Sequence, residues 1–173
     1  MNQSDPPLPG KALSEASSLR VALFSDSFPE RNGAGAYYFD LAGQLEPALG
    51  AFTMFQPVVK KRFLKFALPL PGDSTQKLIT PNIFRIRREF TELKPHLIIG
   101  VTPGPFGLLG LYLARRKKIP FITAFHTHFE GLIRLYGDNI FYRTAHWYLE
   151  KINIFLCRRS ETVRVNTAAL IPT

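Results

Sequence analysis

What most constrains this chain is the regular alternation of short apolar runs with segments of helical periodicity. Arg20-Val-Ala-Leu-Phe-Ser-Asp26 is an apolar run that closes on small polar residues. Ala51 to Gln56, Leu97 to Val101 and Pro120 to Phe125 repeat the pattern, and Thr162 to Val165 is a last, shorter run. Strands that are continuously apolar are covered on both faces, the condition of a parallel sheet. Between them, a helix is expected from about Ala36 to Glu46, with Tyr37, Leu41 and Leu45 on one face and Pro47 and Gly50 as its stop. Thr80-Pro81 reads as an N-cap followed by proline at the first helical position, opening a helix to about Leu93 with Ile83, Ile86, Phe90 and Leu93 as its stripe. Phe106 to Lys117 and Asp138 to Arg159 are the remaining helices. Leu68-Pro-Leu-Pro-Gly-Asp73 reads as a turn inside the otherwise unassigned stretch 60–78. The expectation is an α/β chain: a doubly wound parallel sheet forming a single Rossmann-like domain over residues 19–173, behind a disordered leader at 1–18.

Bulk properties agree with one globular unit. A chain of 173 residues suffices for one domain and not for two of ordinary size. Its 46% hydrophobic and 20% charged residues exclude a disordered chain. The single cysteine, Cys157, lies in the apolar run Ile154-Phe155-Leu156, reads as a buried small hydrophobe and fits a reducing compartment. The leader carries no apolar signal core, so a cytoplasmic location is expected. Pro95 to Ala114 holds no charged residue over twenty positions, the length of a membrane span. Thr102-Pro103-Gly104-Pro105 interrupts it, and its halves read as a buried strand and a separate helix.

Lys plus Arg is 22 against 13 for Asp plus Glu, a net charge of +9, which favours polyanionic partners. The excess is clustered at Lys60-Lys-Arg62 with Lys65, at Arg85, Arg87 and Arg88, at Arg115-Arg-Lys-Lys118, and at Arg158-Arg159. Two clusters lie at predicted helix ends, where cations suit the helix dipole. No helix-turn-helix, zinc-finger or RNA-binding signature accompanies the charge, so nucleic acid ranks behind phosphorylated small molecules and anionic lipid.

In a doubly wound sheet, ligands bind outside the carboxyl ends of the strands. Three unusual segments follow strands and should meet there: Asp26 to Gly35, Thr102 to Gly107, and His126-Thr-His-Phe-Glu-Gly131. Gly33 and Gly35 stand at a helix start, where free amides attract phosphate and a missing side chain lets a ligand approach. Tyr38 occupies the third glycine position of a dinucleotide fingerprint, so a loop needing glycine only for its turn is the alternative. His126 and His128 would share one face of an extended chain and could bridge a metal, yet no third ligand has a recognised spacing. Their place after a buried strand favours a functional role over a structural one. No G-x-S-x-G elbow supports a serine hydrolase, while Asp26 and Glu130 are the candidate carboxylates at that edge for glycoside hydrolysis.

RVALFSDSFPERNGAGAYYFDLA (Arg20 to Ala42) resembles the opening of the retaining GT-B glycosyltransferases of family 4. So do KPHLIIGVTPGPFGLLGLYLARRKKIPFITAFHTHFEGLIRLYG (Lys94 to Gly137) and Val163-Arg-Val-Asn-Thr167. The closing block is most similar to the branch holding lipid mannosyltransferases and sulfoquinovosyltransferases. The resemblance covers most of residues 19–167 and is poor over 57–80. It implies one Rossmann-like half of a two-domain fold, the half that mainly binds the acceptor. It implies that Asn32 and Gly33 belong to the glycine loop approaching the donor phosphates; Gly35 and Asp26, placed at the same edge by topology, are taken as substrate-binding residues with them. His126 would contact the transferred sugar at the reaction centre, with Thr127 and His128 as flanking sugar or acceptor contacts. It implies a nucleotide-sugar donor and no metal or other cofactor. The family's donor-binding domain, with the Arg–Lys pair that stabilises the leaving diphosphate, has no counterpart in this sequence.

Two expectations follow. The chain is the acceptor-side half of a hexosyltransferase, inactive until a donor-binding domain or subunit joins it in trans. The alternative is a non-catalytic remnant that binds acceptor or an anionic membrane surface, peripheral on the inner face, for which Lys60-Lys-Arg-Phe-Leu-Lys-Phe66 mixes cations with apolar residues.

Overall fold

The computed structural model describes residues 16–28, 33–57, 67–70, 73–125 and 140–165. Most of the leader, the segments 29–32, 58–66 and 126–139, and residues 166–173 lie outside the described residues. Chain order runs β1 (Arg20–Phe24), α1 (Gly33–Leu45), a short 3-10 turn (Glu46–Ala48), β2 (Ala51–Phe55), β3 (Ala67–Leu70), β4 (Asp73–Ile79), α2 (Ile83–Leu93), β5 (Leu97–Gly100), α3 (Pro105–Lys117), β6 (Phe121–Phe125), α4 (Ile140–Cys157) and β7 (Thr162–Val165). β2, β1, β5, β6 and β7 form one sheet in that order, every neighbouring pair parallel. This is the doubly wound α/β architecture that the continuous apolar runs imply.

β1 is the middle of the core. Val21, Ala22, Leu23 and Phe24 are all buried, so both faces of the strand are covered. On one face Phe24 stacks on Phe55 at 4.8 Å and lies 6.4 Å from Phe90 of α2. Ile86, Ile98, Phe106, Leu111, Phe121 and Leu156 extend that cluster under α2, α3 and α4. The other face is smaller: Leu23, Val101 and Ala124 pack with Tyr38 of α1. Each such large apolar side chain contributes about 1.5–3 kcal/mol by leaving water. The apolar stretch Pro95 to Ala114 divides into β5 and α3, and among the described residues no helix is long and apolar enough to cross a membrane.

Four local expectations are corrected. α1 begins at Gly33, earlier than the expected Ala36, and its buried stripe runs through Gly35 and Tyr38; Tyr38 is 3% exposed and Tyr37 45%. Gly35 and Tyr38, three residues apart, fall on one face of the helix. α2 is capped by Asn82, whose side-chain oxygen accepts from the Arg85 amide at 3.1 Å; Thr80 and Pro81 precede it. Asparagine is at least as good a cap as threonine, and it stands nearer the helix. Ile83 then falls outside the stripe and is exposed. Finally, the stretch Leu68 to Asp73 is partly strand: β3 runs to Leu70 and β4 starts at Asp73, and residues 71–72 between them lie outside the described residues. β3 and β4 pair antiparallel, with Pro69 opposite Lys77 and a register shift between Pro69 and Leu70. Proline is tolerated in a strand at such an irregularity.

Two helices stop on lysines in the left-handed conformation usually given to glycine: Lys94 (φ 47°) after α2 and Lys118 (φ 56°) after α3. α3 packs tightly on β1, because a Cβ at Gly110 would come within 2.9 Å of the Phe24 ring. Gly43 on α1 has nothing within 4 Å. Urea unfolding should therefore separate two chemically identical changes. Gly110→Ala is expected to cost about 1–3 kcal/mol through overpacking, and Gly43→Ala to add about 0.5–1 kcal/mol through helix propensity.

Candidate functional site

β1 and β5 are neighbours, but the chain leaves β1 toward β2 and leaves β5 toward β6. In doubly wound sheets such a reversal leaves a crevice at the carboxyl ends of the strands, the place where ligands bind. The crevice is bordered by the β1–α1 connection on one side and by the β5–α3 connection, Val101 to Gly104, on the other.

One carboxylate ties the two sides together. The Val101 amide donates to the Phe24 carbonyl at 3.0 Å, and one step on, the Asp26 amide donates to the Thr102 hydroxyl at 2.7 Å. That hydroxyl donates to Asp26 Oδ2 at 2.5 Å. The amides of Phe106 and Gly107 donate to Asp26 Oδ1 at 2.9 Å and Oδ2 at 3.4 Å. These are the second and third amides of α3, the ones that an N-cap side chain ordinarily satisfies. The N-cap of α3 is Gly104, which has no side chain to do so. Asp26 therefore supplies the cap from another strand.

Thr102-Pro-Gly-Pro-Phe-Gly107 is built around this arrangement. A Cβ on Gly104 would collide with the Asp26 carboxyl carbon, and one on Gly107 with the Thr102 carbonyl oxygen. Pro105 fills the first helical position, where no amide is needed. Burial raises the Asp26 pKa above its ordinary value of 3.8, against the opposing hydrogen bonds from Phe106, Thr102, Gly107 and Gly104. Asp26 thus faces the α3 amides, and its carboxylate hydrogen bonds serve the scaffold of the crevice.

The α1 side differs. Gly33 opens the helix and Gly35 is buried within its first turn, which carries no acidic residue. Tyr38, one turn on, has its hydroxyl pKa pushed up by burial and by neighbouring Tyr37, while the Arg164 charge acts in the opposite direction. Arg164 of β7 thus lies within electrostatic reach of Tyr38 on α1, a proximity the sequence did not point to. β6 ends at Phe125, one residue before His126. Asn32, His126, Thr127 and His128 lie outside the described residues. Of the sequence-derived site residues, the structure brings Asp26, Gly33 and Gly35 to the β1–α1 side of one crevice. It adds Thr102, Gly104 and Gly107 as the partners that explain the unusual β5–α3 segment.

Removing the shared cap should leave buried amides unpaired. Asp26→Ala is expected to lower the unfolding free energy by about 1–3 kcal/mol. The acid dependence has a defined sign. Because the folded-state pKa is raised, the folded chain binds the extra proton more readily, so this contribution to stability is full below pH 3.8 and is lost as pH rises through the folded-state value. Urea unfolding across that range should show the stability of the wild type relative to Asp26→Asn, which has no proton to lose, falling as pH increases.

Compared with known protein families, residues 31–170 match Glycosyltransferase Family 4. No curated protein and no solved structure matches the chain. The matched stretch begins just ahead of α1 and runs past β7, taking in both helices that border the crevice. It covers well over half the sequence on a parallel sheet of the right architecture, and the chain accordingly belongs to glycosyltransferase family 4.

Proposed function

We propose that this chain is the acceptor-side half of a retaining, nucleotide-sugar-dependent hexosyltransferase, and that it transfers sugar only when joined by a donor-binding domain. The family match carries this reading. The crevice geometry supports it. Two helix N-termini border the crevice, and a helix N-terminus attracts anions. At α3 the amides of Phe106 and Gly107 donate to Asp26, whose negative form would repel a phosphate. The first turn of α1, on Gly33-Ala-Gly35, carries no acid, so the donor diphosphate would lie on that side, beside Asn32.

In the transfer, the bond from the anomeric carbon to the diphosphate oxygen breaks and a bond to an acceptor hydroxyl oxygen forms. The departing diphosphate carries the electron pair away, and the hydroxyl loses its proton. His126, following β6, would contact the sugar at this centre, with Thr127 and His128 beside it. Charge developing on the diphosphate has to be met by fixed cations or dipoles, usually a large part of catalysis. A partner domain facing the crevice would supply them, with no metal required.

The test uses UDP- and GDP-hexoses with a membrane-lipid extract as acceptor. The chain alone should transfer nothing. The chain mixed with a family 4 donor-binding domain should transfer, and His126→Ala should reduce that rate by about 100-fold or more. Transfer by the chain alone overturns the half-enzyme reading. Unchanged transfer by His126→Ala overturns the placement of the reaction centre.

A further inference from the structure

The opposite edge of the sheet carries a second feature. A cavity of about 300 Å³ lies between the C-terminal ends of α3 and α4 and the starts of β6 and β7, remote from the crevice. Its floor is apolar, from Leu111, Ala114, Ile119 and Phe121. Its rim holds three cations, Arg115, Lys118 and Arg159, against one carboxylate, Glu161. Lys118 keeps its side chain on a left-handed backbone (φ 56°), where glycine would be less strained. Arg159 lies 3.8 Å over the Phe155 ring, which links the cavity to the outer surface of α4.

That outer surface is unusual for a surface helix. Leu156 is buried against the sheet. Directly opposite it, at 3.6-residue spacing, Trp147, Lys151, Ile154, Phe155 and Arg158 share one solvent-facing stripe. Trp147 is 57% exposed and Phe155 40%. The helix is therefore apolar on both sides, and the outer stripe carries Lys151 and Arg158 with the exposed Glu150 at its border. Helix-dipole stabilisation explains cations at the end of α3. It does not explain aromatic side chains held in water beside them.

Aromatic rings at a water–apolar boundary together with Lys and Arg form the pattern that anionic bilayer surfaces recognise. We propose that the outer stripe of α4 and the adjoining cavity form a docking surface for an anionic lipid bilayer. Arg115, Lys118 and Arg159 would take phosphate headgroups, and Trp147, Ile154 and Phe155 would enter the interfacial layer. A second copy of the chain fits this face poorly, since symmetric pairing would bring its cations against each other. The surface stands apart from the crevice, so the proposal holds or fails independently of the transferase reading.

Trp147 is the only tryptophan in the chain, so its fluorescence reports on this face alone. The experiment is vesicle flotation of the full chain, with emission spectra, on phosphatidylcholine and on phosphatidylcholine mixed with phosphatidylglycerol. Binding should require the anionic lipid, shift Trp147 emission to the blue, and make it quenchable by brominated acyl chains. Arg158→Glu with Arg159→Glu should weaken binding about tenfold or more at unchanged melting temperature. Lys118→Gly should weaken it while leaving stability equal or higher, which separates loss of the cation from misfolding. Inorganic phosphate should compete no better than its ionic strength predicts. Equal binding to neutral vesicles overturns the proposal, as does binding with unchanged Trp147 emission, which would assign the contact to another surface. Competition by phosphate beyond its ionic strength overturns it in favour of a soluble anion. Emission already blue-shifted without lipid overturns it in favour of a protein occupant.

Discussion

The site end of this fold depends on one carboxylate borrowed across the sheet. Asp26 leaves β1, turns toward β5 and takes the amides that Gly104 cannot cap. A side-chain cap on Gly104 itself would be simpler, but its Cβ would occupy the space of the Asp26 carboxyl group. Strand, loop and helix are therefore interdependent. The Thr102 hydroxyl is held by Asp26, the helix start by the same carboxylate, and the closeness of the helix by the absence of side chains at Gly104, Gly107 and Gly110. The same bond pattern decides what each side of the crevice can do. Occupied amides on α3 make that side a wall, whereas the first turn of α1 on the other side carries no acid.

Much of this was legible in the sequence because it rests on local chemistry. Continuous apolar runs such as Val21 to Phe24 imply strands buried on both faces, and they are. Pro103 and Pro105 divide an otherwise membrane-like stretch where the chain does divide. The misses share a cause, which is that tertiary contact chose between local options of similar quality. Thr80 and Asn82 are both acceptable caps, and packing of Ile86 and Phe90 selected the phase that starts at Asn82. Tyr37 and Tyr38 are chemically near-identical, and packing against Leu23, Val101 and Ala124 selected Tyr38. At the site, the sequence marked Asp26 and Thr102-Pro-Gly-Pro-Phe-Gly107 as unusual but could not pair them, because their partnership spans 76 to 81 residues.

Charge reads differently once placed. Among the described residues the basic excess divides between helix faces and the far edge of the sheet, and its groups have different surroundings; the Lys60 to Lys65 cluster lies outside them. Arg85 and Arg88 pair along α2 with Glu89 and Glu92, which makes them ordinary exposed helix pairs of small energetic weight. Arg115, Lys118 and Arg159 instead converge on a cavity with one acid among them. The two ends of the sheet thus have separate chemical characters: small polar residues and glycine at the carboxyl edge, cations and exposed aromatics at the amino edge.

The long reach of the Asp26 clamp also bears on how the chain assembles during synthesis. β1 is made early and sits between β2 and β5 in the finished sheet. It can pair with β2 once residue 55 has emerged, but its other edge stays open until β5 follows. The carboxylate meets its last partner only when Gly107 has left the ribosome, 81 residues after Asp26. Through that interval the most apolar strand of the sheet has an exposed edge, the condition under which nascent chains recruit chaperones or associate with one another. Closure of a contact this distant in sequence is intrinsically slow. Asp26 consequently acts as a latch between β1 and α3, closed only after the chain has passed Gly107 and before β6 and β7 complete the sheet.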